Sequence, residues 1–265
     1  MPTVLDPWPR KCPDCNNEFS SVQNRGQCPQ CRLVFFVDAS GAFIKREPRL
    51  SEWMKGDALI VSPPPTDLPG AIDHWNANGR MEPLEVSDKI LTTFSPLLQV
   101  QGLTKLHVEG KKYKDYSPLC KLPELTLLDI HDLKKDIQWI SDLQQVSELH
   151  FTDCKFCDLA PIGNLRNLKT LGFHWCTQIA DLTPLSYLNQ LEHLIFYECT
   201  KLVDLQPLSY CKQLIKLEFI DCFKLRDIKP LASLNHLKLL RLVGSDVVDV
   251  SPLSELKSLE IRYRE

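Results

Sequence analysis

The chain has no long apolar run: nowhere in its 265 residues does a stretch approach the ~18 needed to cross a bilayer, so a helical membrane span is not expected. Its opening residues, MPTVLDPWPRK, lack the apolar core of a secretion signal, and a cytoplasmic protein is expected. Net charge is only -3, which offers no global attraction to nucleic acid or to anionic lipid. The catalytic signatures are missing too. There is no G-x-S-x-G elbow, P-loop, H-E-x-x-H or glycine-rich nucleotide loop. Acids and histidines are plentiful, but a repeat explains their spacing, and no enzyme is expected. With 43% hydrophobic and 25% charged residues, the chain has the composition of a folded protein.

What is present is repetition. DLTPLSYLNQLEHLIFYECTKLV (181–203) is followed at once by DLQPLSYCKQLIKLEFIDCFKLR (204–226). The first position of this segment recurs at Thr93, Asp115, Asp136, Asp158, Asp181, Asp204, Asp227 and Asp249, at intervals of 21 to 23 residues. Within each unit the apolar pattern is L-x-x-L-x-x-L-x-[LFIV], as in Leu188, Leu191, Leu194 and Phe196. One unit cannot bury its own leucines, whereas stacked units share a continuous core.

This pattern resembles the leucine-rich repeats. The Asp-[Leu/Ile]-x-Pro-Leu segment is most similar to the short repeats of bacterial internalins and related cytosolic proteins, so a bacterial origin is expected. The resemblance implies an α/β solenoid over 84–265, with a parallel β-sheet on the concave side and 3₁₀ or irregular pieces on the convex side. Strands are expected around Leu84, Leu106, Leu128, Leu149, Leu171, Leu194, Leu217 and Leu240. Proline in the convex turns fixes φ and needs no donor. The final unit is irregular, with Arg262 where the strand leucine should stand. Either it is about three residues short, with Leu259-Glu260-Ile261 as its strand, or the chain stops inside a unit. An unpaired edge there would favour pairing with a second copy.

Cys154, Cys176, Cys199 and Cys222 each lie five residues after a strand leucine, where leucine-rich repeats carry Asn or Cys turned inward. Cys157 and Cys211 align with core positions, and Cys120 is expected to be the exposed thiol. Without a secretion signal, all are read as reduced.

The N-terminal segment KCPDCNNEFSSVQNRGQCPQCR places Cys12, Cys15, Cys28 and Cys31 as two C-x-x-C knuckles, which resemble those of a zinc ribbon. Four thiolates close a tetrahedral site with no vacancy for substrate. One structural Zn²⁺ per chain is therefore expected in a module over 1–47. Two strands, Leu33–Val37 and Ala42–Lys45, are expected to flank a tight turn. Residues 1–50 hold seven basic and five acidic side chains, and zinc tetrathiolate would cancel the excess. Docking on nucleic acid through the ribbon is thus the alternative reading. Residues 48–83 are expected to form a linker and N-terminal cap, with a short helix over 71–78.

Outward strand positions fall in three columns. The first is Lys105, Leu127, Glu148, Thr170, His193, Lys216 and Leu239. The second is His107, Asp129, His150, Gly172, Ile195, Glu218 and Arg241. The third is Glu109, His131, Thr152, His174, Tyr197, Ile220 and Val243. His150, His174, Trp175, His193 and Tyr197 are expected to form one aromatic patch that binds a protein partner, with histidine protonation near pH 6 tuning affinity. The histidines sit in different columns, which argues against a second metal site. The function expected is a protein-interaction scaffold: an adaptor, a recognition protein, or an immunity or inhibitor protein.

Overall fold

The computed structural model describes residues 25–27, 34–37, 43–44, 68–77, 83–87, 91–109, 113–134 and 137–263. The chain divides into two compact units, Met1–Pro64 and Pro65–Glu265. In the first, β1 (Arg25–Gln27), β2 (Val34–Val37) and β3 (Phe43–Ile44) form an antiparallel sheet in sequence order. Phe36 stands opposite Ile44 and Val37 opposite Phe43, the pairing expected from the two apolar runs. The candidate zinc ligands Cys12, Cys15, Cys28 and Cys31 lie outside the described residues.

The second unit opens with α1 (Leu68–Ala77), three residues ahead of the expected start. Ala71 enters the core, and Leu68 and Ile72 pack against it. Nine strands follow: β4 (Leu84–Ser87), β5 (Lys105–Glu109), β6 (Leu127–His131), β7 (Glu148–Thr152), β8 (Thr170–His174), β9 (His193–Tyr197), β10 (Lys216–Ile220), β11 (Leu239–Val243) and β12 (Glu260–Arg262). They form one sheet in sequence order, each strand parallel to the next. The strand leucines align across it, Leu171 opposite Leu194 and Leu217 opposite Leu240. The sequence repeat is therefore the structural repeat, and the solenoid expected from it is the fold. No helix among the described residues is long and apolar enough to cross a membrane.

Between strands the chain turns through short 3₁₀ segments such as Thr183–Tyr187 and Gln206–Tyr210, with proline in the first turn. The recurring aspartate has a specific task here. The Oδ1 of Asp181 accepts a hydrogen bond from the Thr183 N–H at 2.8 Å, and Asp204 does the same for Gln206. Asp115, Asp158, Asp227 and Asp249 repeat the contact. Each carboxylate thus satisfies an N–H that the 3₁₀ turn leaves without a partner, while the apolar residue that follows it (Leu159, Leu182, Leu205 or Ile228, for example) drops into the core.

The core is a column of leucines with an aromatic spine. Phe151, Phe173, Phe196 and Phe219 stack in successive units, centroids 5.5 to 5.7 Å apart and planes within 17°. Beneath the strand ends, Cys154, Cys176, Cys199 and Cys222 are fully buried. Each thiol reaches backbone carbonyls of its own and the preceding unit, as Cys176 does to His174 at 3.4 Å and Phe151 at 3.5 Å. Burial raises the thiols of Cys154 and Cys199 well above their ordinary range and that of Cys222 to about 11.

Two cysteines depart from expectation. Cys157 is exposed, and Cys120 is half-buried, its thiol donating to the Trp139 carbonyl at 3.3 Å. For Cys157 the cause is a missing residue. Nine residues separate Leu149 from Asp158, where ten separate Leu171 from Asp181. The shorter path puts Phe156 into the core, edge-on to Phe151 at 4.8 Å, and turns Cys157 outward. Brief alkylation of the folded protein at pH 8 should therefore label Cys157 first among the repeat cysteines, with Cys154, Cys176, Cys199, Cys211 and Cys222 reacting only in denaturant. Peptide mass mapping reads this directly, and early labelling of Cys199 would contradict the buried ladder.

The last unit is a shortened repeat, by two residues rather than about three. Ile261 stands opposite Leu240, an interval of 21 residues where the preceding unit has 23. One residue is missing before Asp249 and one after Leu259, so the strand is Glu260–Arg262, one position later than expected.

Candidate concave binding face

Each strand from β6 to β11 is followed by a residue with left-handed backbone: Asp132, Asp153, Trp175, Glu198, Asp221 and Gly244, with φ between 51° and 62°. The turn lets its N–H continue the ladder, as Trp175 N–H donates to the Tyr197 carbonyl at 2.8 Å. Aspartate and glycine tolerate this conformation; a bulky side chain pays about 1 kcal/mol for it. Trp175 is thus the one large aromatic residue placed where the backbone favours small or polar ones.

Around it, four of the five residues expected in the patch come together. The Trp175 and Tyr197 rings lie 4.9 Å apart, and His174 is 6.1 Å from Tyr197 and 6.2 Å from Trp175. His150 joins through His174 at 6.2 Å. Gly172 separates the two histidines on β8, and its missing side chain is what admits them. A Cβ there would overlap the His150 ring and stand 3.1 Å from His174 Nε2. His193 begins β9 while Tyr197 ends it, so it enters the face at the opposite margin.

Packing hides the two central histidines. His150 is 4% exposed, its Nε2 2.9 Å from Glu148 Oε1, and that contact lowers the Glu148 carboxyl. His174 is 6% exposed, and burial followed by repulsion from His150 lowers its pKa to about 3. The expected protonation near pH 6 therefore does not occur at His174. What the patch presents at the surface is Trp175, Tyr197 and the acidic strand ends Asp153, Glu198 and Asp221.

The same face holds two polar groups that sequence reading did not single out. Glu218 is buried between Lys216 Nζ and Arg241 Nη1, each 2.6 Å from one of its oxygens. Asp129 is buried against His107 Nδ1 at 2.8 Å, with His131 Nε2 at 3.6 Å. Burial raises the Asp129 carboxyl, but the His107 and His131 contacts reverse this and hold it well below the usual range. The signal was in the columns: Asp129 and His131 are two apart on one strand, and His107 faces Asp129 across the ladder. On the convex side, Tyr187 and Tyr210 end adjacent 3₁₀ turns and are strongly exposed.

No protein-family model matches the chain, and no curated protein matches it. Solved structures do. Internalin C2 from Listeria monocytogenes is 28% identical, over 69% of this chain and 81% of its own, with a TM-score of 0.54. An internalin InlF structure from the same organism is 26% identical over 66% and 58% of the two chains, with a TM-score of 0.43. The plant peptide hormone receptor RGFR1, in complex with RGF2, is 16% identical over 69% and 32%, with a TM-score of 0.50. With nine parallel strands in repeat register, the chain is a leucine-rich repeat solenoid, similar in fold to internalin C2.

Proposed function

We propose that this chain is a non-catalytic scaffold that binds another protein on the concave face of its repeat sheet, centred on Trp175 and Tyr197. The observation that carries the reading is Trp175 itself. It sits at φ 54°, where the equivalent units use Asp, Glu or Gly, and its ring lies beside Tyr197. A residue kept in an unfavourable backbone conformation is better explained by what its side chain contacts than by the fold. Aromatic anchors on a rigid sheet, rimmed by Asp153, Glu198 and Asp221, suit a protein interface. Adaptor, recognition and immunity or inhibitor roles all use such a face. The four N-terminal cysteines complete the reading as a structural zinc staple: their donor set satisfies Zn²⁺ without an open position.

Affinity capture with the full chain tests the concave face. A single protein retained in fixed ratio by the wild type is expected to be lost on Trp175→Asn and on Tyr197→Ala. Each change should weaken binding by about 30-fold, the scale of an interface hot spot. Tyr210→Ala, on the convex side, should bind as wild type does. Equal retention by all four proteins would sink the concave assignment, and selective loss on Tyr210→Ala would move the interface to the other side.

A further inference from the structure

We propose that His107, Asp129 and His131 form a divalent transition-metal site on the concave face, separate from the N-terminal cysteines. One donor atom from each of the three lies within 4.8 Å of the others. His107 Nδ1 is 2.8 Å from Asp129 Oδ2, His131 Nε2 is 3.6 Å from Asp129 Oδ1, and the two imidazole rings are 4.4 Å apart. Metal–nitrogen and metal–oxygen bonds of about 2.0–2.2 Å put two donors on one tetrahedral ion roughly 3.3–3.6 Å apart. The observed separations bracket that value, so the three donors converge on one ion with shifts of about an ångström.

The cluster also has an unmet need that a cation answers. Asp129 is 6% exposed and His107 3%. Oδ1 of Asp129 and Nε2 of His131 are both buried without a hydrogen-bond partner, since 3.6 Å is too long for one. Two buried polar atoms left facing each other carry a desolvation cost that their own contact does not recover. A metal bonded to both removes it. The donor set of two imidazoles and one carboxylate suits Zn²⁺ and its neighbours in the first transition row rather than Ca²⁺ or Mg²⁺, which prefer all-oxygen shells. Three protein ligands leave a fourth position. The His131 side chain is 20% exposed, so the cluster lies near the concave surface.

The experiment is a cobalt(II) titration of the full chain followed by optical absorption. Thiolate ligation produces sulfur-to-metal charge transfer in the near ultraviolet, whereas a nitrogen–oxygen site produces only weak visible bands, so the two candidate metal sites are read apart. The expected result is one binding event per chain without charge transfer. It should persist in a Cys12→Ser/Cys15→Ser protein, weaken at least about tenfold in both His131→Gln and Asp129→Asn, and be unchanged in His236→Gln. Circular dichroism monitors folding of each variant. If Asp129→Asn fails to fold, the partly exposed His131→Gln decides alone. No such event up to millimolar cobalt, or one indifferent to His131→Gln, overturns the site.

Discussion

Phe196→Ala is expected to remove about 3–5 kcal/mol from the stability of the repeat unit. The ring is fully buried and stacks on Phe173 at one face and Phe219 at the other, both at 5.5 Å. Alanine would leave a cavity between two rigid aromatic neighbours that belong to different units. In a solenoid each unit is stabilised chiefly by the ones beside it, so the loss is felt across two interfaces at once. It is also large against the roughly 5–15 kcal/mol that separates most folded domains from their unfolded state. Phe196→Leu keeps most of the volume and should cost under about 1.5 kcal/mol. Urea unfolding followed by circular dichroism measures both. A cost below about 1 kcal/mol for Phe196→Ala would show that the spine does not couple the units.

The second large effect is on pH dependence. His174 is held neutral by burial, with a folded pKa of about 3 against an ordinary value of 6.5. The unfolded chain therefore binds a proton that the folded chain refuses. Stability from this residue is complete above pH 6.5, falls as pH drops below it, and levels off only near pH 3. At pH 5 the loss is about 2 kcal/mol. His150 and His131 oppose a charge on His174, and the buried Asp129 carboxylate favours it but is outweighed. His174→Gln cannot protonate, so its stability should decline much less between pH 7 and pH 5. Parallel slopes for the two proteins over that range would show that His174 is not the group responsible.

The parts of this architecture that repeat were legible, and the parts that break the repeat were not. Leu171, Leu194 and Leu217 recur at fixed spacing because each occupies the same place in the same sheet, so their register follows from counting. The aspartates at 181 and 204 recur for an equally local reason, a hydrogen bond to the N–H two residues on. The exposure of Cys157 does not show in the register of the strand leucines, because one missing residue reroutes the loop without moving them. The cluster of His107, Asp129 and His131 leaves no mark in the spacing of the histidines, because an aspartate joins them: Asp129 faces His107 across the ladder and stands two residues before His131. For Trp175 the sequence shows a tryptophan but not its backbone angle, which depends on the turn shared by every unit. Burial of His150 and His174 depends on the gap at Gly172, a residue that by its own chemistry suggests nothing about histidines.

The buried thiols at Cys154, Cys176, Cys199 and Cys222 set the terms on which the protein survives oxidation. Folded, each is shielded from solvent, and burial raises the thiols of Cys154, Cys199 and Cys222 away from the reactive thiolate. Unfolded, the same cysteines become ordinary nucleophiles within one flexible chain, free to form mismatched disulfides that no solenoid can accommodate. At these four positions an oxidant would therefore act on the open state and convert a reversible excursion into a permanent loss. Loss through these four thiols would follow how often the repeats open, not how strong the oxidant is.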